Sequence, residues 1–328
     1  MFLITGSAGF IGFHLAKKFL QENKKVIGID NINDYYDTDL KKNRLKILAK
    51  YKNFKFYKKD LTKANSIELI FKKNKIDYVV HLAAQAGVRY SVINPNAYIT
   101  SNINGYFNIL NLSKKFKVKH FIFASSSSVY GSLNKFPFRE SDNVSYPTQF
   151  YAATKVSNEL MAHSFSSLYN LPTTGLRFFT VYGPYGRPDM SLFKFVNNIF
   201  KKKPIAVFNR GNHYRDFTYI DDITHSISLI IKKIPKKRKF GSRETGAPFR
   251  IINIGGNKPI KLDKYISLIE KIIGKKANKK YLGLQIGDMV KTQACNKKIK
   301  SIIKFAPKTN LVDGLKKYII WFKNYYKI

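Results

Sequence analysis

Phe2-Leu3-Ile4-Thr5-Gly6-Ser7-Ala8-Gly9-Phe10-Ile11-Gly12 decides the fold. Phe2 to Thr5 is a short apolar run, as a strand covered on both faces requires. Gly6, Gly9 and Gly12 follow at the spacing G-x-x-G-x-x-G, and a helix is expected from His14 to about Gln21. Glycines permit a tight turn and let a pyrophosphate approach the helix N-terminus, where backbone N–H groups attract anions. A glycine triplet alone is a weak signal. Between a strand and a helix it has the context that a dinucleotide site needs.

The next strand, Val26 to Ile29, ends in Asp30. An acid there can hydrogen-bond ribose hydroxyls and would repel a 2′-phosphate, which favours NAD over NADP. A plain helix or turn cap is the other reading of Asp30. Asn31 to Asp39 is a polar, aromatic loop before a basic helix. Phe54–Tyr57 reads as a third strand ending at Asp60-Leu61, placed to contact adenine. A helix from Ala64 to Asn74 and a strand from Asp77 to Leu82 follow. Leu82, Ala83 and Ala84 form a small-residue exit against which a cofactor could lie. Asn94-Pro95 should open one long helix to about Lys115, with Asn102 and Gly105 facing a site.

His120 to Ala124 is the fifth strand, and it delivers Ser125 to Ser128 at its carboxyl end, where doubly wound sheets bind ligands. Pro147 to Tyr169 is a helix, and Thr173 to Phe179 a sixth strand. The pattern is α/β: a Rossmann-like, doubly wound parallel sheet over residues 1–178. A smaller α/β substrate-binding domain is expected over 179–328, with segments near 217–233 and 250–256 returning to the first. In that second part, strands and loops are expected at Ile205–Phe208 and Arg215–Asp222. A basic loop is expected at Lys232–Gly246, and helices at Leu262–Ile273 and Leu311–Tyr325.

Tyr151 and Lys155 stand four apart, on one face of their helix. Moving hydride from a carbinol carbon requires the hydroxyl proton to leave too. A phenol can take it only once ionised, and its free pKa is about 10. Lowering that by about three units needs roughly 4 kcal/mol. A lysine ammonium at ~4 Å supplies about that much at an effective dielectric near 20. A serine hydroxyl such as Ser126 can orient the substrate oxygen. Alone, tyrosine and lysine at this spacing also suit an ordinary surface helix; the serine run and the glycine turn argue for a site.

The 328 residues, 44% of them hydrophobic, suit one large or two joined globular domains. One cysteine, Cys295, excludes an internal disulfide and a cysteine-based metal cluster. No metal site is expected. No apolar run reaches the length of a membrane span, and the first strand starts at Phe2, leaving no room for a signal peptide. A cytoplasmic protein is expected. The formal charge of +39 is extreme. Its lysines fall in scattered pairs rather than one stripe, so solvated faces explain it better than a nucleic-acid partner. A nucleic-acid or regulatory binder on a retired dehydrogenase scaffold is the alternative from a different class.

Seven segments, in one order, carry a resemblance: GSAGFIGFHLA, DNINDYYD, HLAAQAGVRYS, FASSSSVYG, YAATKVSNELMAH, LRFFTVYGPYGRPDM and RDFTYIDD. Together the chain resembles the extended short-chain dehydrogenase/reductase family of NAD-dependent nucleotide-sugar epimerases and dehydratases, nearly end to end. It is most similar to the branch that interconverts UDP-glucuronate and UDP-galacturonate through a 4-keto intermediate. The resemblance implies that Gly6, Gly9, Phe10, Ile11, Gly12, Asp30 and Asn31 hold NAD, with Asp60, Leu61, Leu82, Ala83, Ala84, Asn102, Tyr151 and Lys155. It implies Tyr151 as proton acceptor and donor, Lys155 as its electrostatic partner, and Ser126 as hydroxyl aligner. Ser127, Ser128 and Thr180 would line the sugar and Arg187 would face its carboxylate. Phe208 would pack near uracil, Arg215 would hold the pyrophosphate, and Arg89 and Asp288 would lie by the substrate. A homodimer through the helices near Asn94–Lys115 and Pro147–Tyr169 is implied as well. Two positions depart from the family pattern: Ile286 stands where proline is usual, and Cys295 where aspartate is. Ser127-Ser128 replaces the Asp-Glu of the 4,6-dehydratases, which argues against dehydration. A UDP-glucuronate decarboxylase and an epimerase of UDP-glucose or UDP-N-acetylglucosamine stay as alternatives.

Overall fold

The computed structural model describes residues 1–237, 246–285 and 287–328. Six strands alternate with helices through the first half. They are β1 (Phe2–Thr5), β2 (Val26–Asp30), β3 (Phe54–Lys58), β4 (Tyr78–His81), β5 (His120–Ser126) and β6 (Thr173–Phe178). A seventh, Phe249–Ile254, pairs with β6 from far along the chain. All seven run parallel in one sheet, in the order Phe249–Ile254, β6, β5, β4, β1, β2, β3. The order reverses at β1, where Phe2 lies opposite Val26 on one side and Tyr78 on the other. Crevices at such switch points are where doubly wound sheets take ligands.

Side chains alternate across each strand, and both faces are dry. On one face Ile4, Val80, Ile122, Leu176 and Ile252 pack with Phe13 and Phe19 of α1 (Phe10–Gln21) and with Ile223 and Ile227 of the helix Ile220–Ile230. On the other, their neighbours Leu3, Val79, Phe121 and Ile251 pack with Ile67, Ile70 and Phe71 and with Tyr106, Ile109 and Leu110. A third cluster, including Phe195, Val196, Tyr265, Ile266, Leu315, Tyr318 and Phe322, builds the lobe facing the sheet's carboxyl edge.

Four local readings change. α1 begins at Phe10 rather than near His14, because Gly9 is already its N-cap. The expected helix from Asn94 to Lys115 is interrupted by a π-helical segment, Ile99–Gly105, between Pro95–Tyr98 and Tyr106–Lys115. Its cause is polar. Asn102 turns its side chain onto both backbone groups of Gln85, and its carbonyl receives the Asn158 side chain at 2.6 Å. The Tyr151 helix starts at Phe150 rather than Pro147. Within Arg215–Asp222, Phe217–Tyr219 pairs with Thr180–Tyr182, and a helix starts at Ile220. The helices Leu262–Ile273 and Leu311–Tyr326 lie where their patterns placed them. Part of the Lys232–Gly246 loop, and Ile286, lie outside the described residues.

Candidate active site

A cavity of about 860 Å³ runs along the carboxyl ends of the strands, between the sheet and the third cluster. At one end is the glycine turn. Gly6 has φ +71° and rests on the backbone of Leu82 and Ala83, while a Cβ on Gly12 would lie 2.1 Å from the Gly6 carbonyl oxygen. Only glycine fits either place. No side chain caps α1, so its first N–H groups are left for an anion. Asp30 is braced beside them: Oδ2 accepts from Ala8 N at 3.1 Å and Oδ1 from Ile32 N at 2.8 Å. Burial pushes its carboxyl above the usual range, against those bonds and the Lys41 charge. Asn31 Nδ2 donates to Asp60 Oδ2 at 3.0 Å. With Phe10, Ile11, Leu61, Leu82, Ala83 and Ala84, these groups line one half of the cavity. The turn, the uncapped helix and the braced carboxylate fit a dinucleotide such as NAD.

Asn102 does not line the cavity. It is buried, and it ties Gln85 to Thr154 Oγ1 at 3.1 Å, so it fixes the Leu82–Ala86 wall against the Tyr151 helix.

Tyr151, Lys155 and Ser126 meet in the middle. Tyr98 packs edge-on to the Tyr151 ring, centroids 6.0 Å apart. The electrostatics differ from expectation. Burial pushes the Tyr151 phenol above its usual range; a hydrogen bond from Ser126 and the Arg187 charge oppose this without reversing it. Lys155 Nζ lies 6.0 Å from the centroid of the Tyr151 ring and donates to the Ala124 carbonyl at 3.0 Å. Burial pushes that ammonium down to about 8, against the Glu159 charge. The protein alone therefore keeps Tyr151 protonated at neutral pH.

The other half of the cavity holds Ser127, Ser128, Thr180, Arg187, Phe208, Arg215, Arg89 and Asp288. Several are already engaged. Arg89 donates to Asp288 at 3.4 Å and lies over the Phe208 ring at 4.6 Å, so these three form a bridge at the mouth rather than three separate contacts. Arg215 donates to the Tyr214 and Val290 carbonyls. Arg187 is paired with Asp189 through Nε at 3.0 Å and Nη2 at 2.5 Å. Among the described residues no cluster of histidine, cysteine or acidic side chains could hold a metal ion. No helix there is long and apolar enough to cross a membrane.

The sequence reading missed four supports. Arg44, wholly buried, donates to the Ala8 carbonyl, the Tyr36 hydroxyl and the Tyr185 carbonyl, joining the glycine turn to the Arg187 loop. Lys41, on the same helix Thr38–Leu48, donates to Asn33 and reaches the cavity. Tyr35 donates to Asp189 at 3.3 Å. Glu159, four residues past Lys155, accepts from Ser125 and pairs with Arg177. Only Glu159 had a usable signal, an acid one turn beyond the lysine on a helix already singled out.

The NAD dependent epimerase/dehydratase family model matches residues 2–255. The chain is 50% identical to Protein CapI of Staphylococcus aureus, over 99% of each chain. It is 43% identical to a UDP-glucuronate 4-epimerase of Thermodesulfobacterium geofontis, over 98% of this chain and 96% of that one. The fold superposes with a TM-score of 0.89, at 32% identity and 99% coverage of both chains, on the UDP-glucuronic acid 4-epimerase of Bacillus cereus crystallised with UDP-glucuronic acid and NAD.

Proposed function

The chain belongs to the NAD dependent epimerase/dehydratase family, and on that premise we propose that it interconverts UDP-glucuronate and UDP-galacturonate. It is an NAD-dependent nucleotide-sugar epimerase, an isomerase that inverts C4 of a UDP-sugar. NAD, when bound, supplies the hydride acceptor and donor for C4 and places a cationic ring in the cavity. The glycine turn with Phe10 and Ile11 would hold its pyrophosphate, and Asp30 its ribose.

Once ionised, with the cofactor's positive charge adding to that of Lys155 and Arg187, Tyr151 Oη would take the O4 proton of the sugar and later return it. Ser126 aligns O4 between those two moments. Lys155 fixes the carboxyl end of β5 through the Ala124 carbonyl and adds positive charge. Between proton removal and return the 4-keto sugar turns over, so the nucleotide must stay anchored while the hexose swings. Charge-assisted contacts from Arg215 and Arg89 suit the diphosphate, and the hydroxyls of Ser127, Ser128 and Thr180 suit a ring held weakly in two poses.

The observation that carries the uronate reading is Arg187. It is a cation lining the same cavity as Tyr151, close enough for its charge to oppose the upward push that burial gives that phenol. A 4-keto-uronate is a β-keto acid, prone to lose CO2; Arg187 can hold its carboxylate out of alignment with the carbonyl. The Arg187–Asp189 pair favours a second reading, a neutral UDP-hexose, because that arginine already has a counter-ion.

We assign residues 1–178 to the NAD-binding unit and most of 179–328 to the UDP-sugar unit, with the segments near 217–233 and 250–256 returning to the first. The active form is a cytoplasmic homodimer joined through exposed apolar residues of the two neighbouring helices, among them Phe107, Leu160 and Leu168. The test of the C4 route is UDP-glucuronate labelled with deuterium at C4. The product should keep the label at C4, and exchange of C5 hydrogen with solvent in place of C4 inversion would sink the proposal.

A further inference from the structure

Arg187 gives only part of its guanidinium to Asp189. Nε donates to Oδ1 at 3.0 Å and Nη2 to Oδ2 at 2.5 Å. A guanidinium carries five N–H groups, and no hydrogen bond among the described residues engages Nη1. Both side chains line the cavity and stay about a fifth exposed, at 22% and 23%. The edge formed by Nη1 and the second Nη2 hydrogen is thus open to a ligand.

Asp189 is held in turn. The Tyr35 hydroxyl donates to its Oδ2 at 3.3 Å. That hydroxyl rests on Gly87, where a Cβ would lie 2.4 Å away, and the Tyr90 ring packs on the Tyr35 ring at 4.9 Å. The loop after β2, the turn after β4 and the Arg187 loop therefore converge on one carboxylate. Burial opposes its charge, yet Arg187 keeps the Asp189 carboxyl below the usual range.

We propose that Asp189 and Tyr35 are positioning residues that select an anionic sugar. Asp189 locks the guanidinium with its open edge toward the hexose, and Tyr35 locks Asp189. A planar carboxylate then docks on two preset N–H groups without ordering a flexible arginine, which is where such a fork gains over a mobile one. A neutral hydroxymethyl group gains little from that edge. An internal counter-ion and a uronate can thus share one guanidinium along different edges. The proposal rests on the uronate reading of the site.

The test uses Asp189→Asn and Tyr35→Phe as NAD-containing holoenzymes. It measures KM and kcat for UDP-glucuronate, and calorimetric Kd for UDP-glucose. Asp189→Asn should raise the UDP-glucuronate KM about tenfold, and Tyr35→Phe about threefold, with most of the loss in KM rather than kcat. The Kd for UDP-glucose should stay level in both. An unchanged UDP-glucuronate KM, or equal losses for both sugars, would overturn the proposal while the wild type still epimerises UDP-glucuronate. A wild type that does not turn over UDP-glucuronate would overturn the uronate reading and this proposal with it. Should Asp189→Asn fail to fold, Tyr35→Phe decides alone, because it removes one hydroxyl from a part-exposed site.

Discussion

The Lys155 ammonium donates to the Ala124 carbonyl at 3.0 Å and lies 6.0 Å from the centroid of the Tyr151 ring. Lysine and tyrosine share a helix face, but they are not an ion pair waiting to form. The helix Phe150–Tyr169 presents both to the cavity, while burial holds the phenol protonated and lowers the ammonium. Ionising Tyr151 thus needs more positive charge than Lys155 brings.

Tyr151→Phe removes the group that exchanges a proton with O4. kcat should fall by about 10³-fold, within the usual range for a positioned acid–base group. NAD content after purification should match the wild type, since the glycine turn and Asp30 are untouched. Stopped assays with UDP-glucuronate and absorbance of released cofactor check both. A variant retaining a tenth of the activity would remove Tyr151 from the chemistry.

Arg187→Ala takes away the cation expected to hold the sugar carboxylate. The KM for UDP-glucuronate should rise about a hundredfold, as for loss of a charge-assisted, two-bonded contact. A share of the 4-keto intermediate should then leave as CO2 and a UDP-pentose. Mass analysis of the products reads both effects. Unchanged kinetics with no pentose would reassign Arg187 to the fold.

Glu159 and Arg177 form a two-bonded buried pair, with side chains 8% and 4% exposed, and Ser125 Oγ adds a bond at 2.5 Å. Glu159→Gln leaves a buried guanidinium without its counter-ion and should cost about 3–5 kcal/mol. Urea unfolding measures it. The doubly apolar Glu159→Leu, Arg177→Met chain should recover much of that loss. A cost below about 1 kcal/mol for Glu159→Gln would mean the pair is screened.

The nucleotide half was legible in the sequence because its chemistry is local. The glycine turn, the acid ending β2 and the serine run ending β5 each sit within a few residues of the strand that places them. The support network was not legible. Asn102 acts on Gln85 and Thr154, Arg44 on Ala8 and Tyr185, and Tyr35 on Asp189, across 17 to 154 residues of sequence. Such contacts are set by the sheet's strand order, which no spacing reveals. The π-helical segment escaped for the same reason, since Asn102 within it shows its cause only through partners distant in sequence, Gln85 and Asn158.

His81 and His120 are buried, and burial pushes both imidazoles down to about 3. A depressed histidine adds stability that is present above its unfolded value near 6.5 and is lost as pH falls toward its folded one. At pH 5 each unfolded ring holds a proton that the folded ring refuses, a loss of about 2 kcal/mol apiece relative to pH 7. Asp216 works the other way. Burial pushes its carboxyl up to about 6, against backbone N–H groups led by that of Ala294, so the folded form gains as pH drops through that value. His120→Gln keeps hydrogen-bonding capacity toward Thr174 and the Ile231 carbonyl and removes the titration. Its stability loss between pH 7 and pH 5 should be about 2 kcal/mol smaller than the wild type's. Equal losses in urea titrations would show that His120 titrates alike folded and unfolded.

The most direct measurement is proton NMR of UDP-glucuronate incubated with the purified protein and no added NAD. UDP-galacturonate should appear and approach a fixed ratio with its precursor, with no accumulation of NADH, because the hydride removed from C4 is returned to it. UDP-pentose with CO2 as the main product, or no change in UDP-glucuronate even after NAD is supplied, would contradict a uronate 4-epimerase.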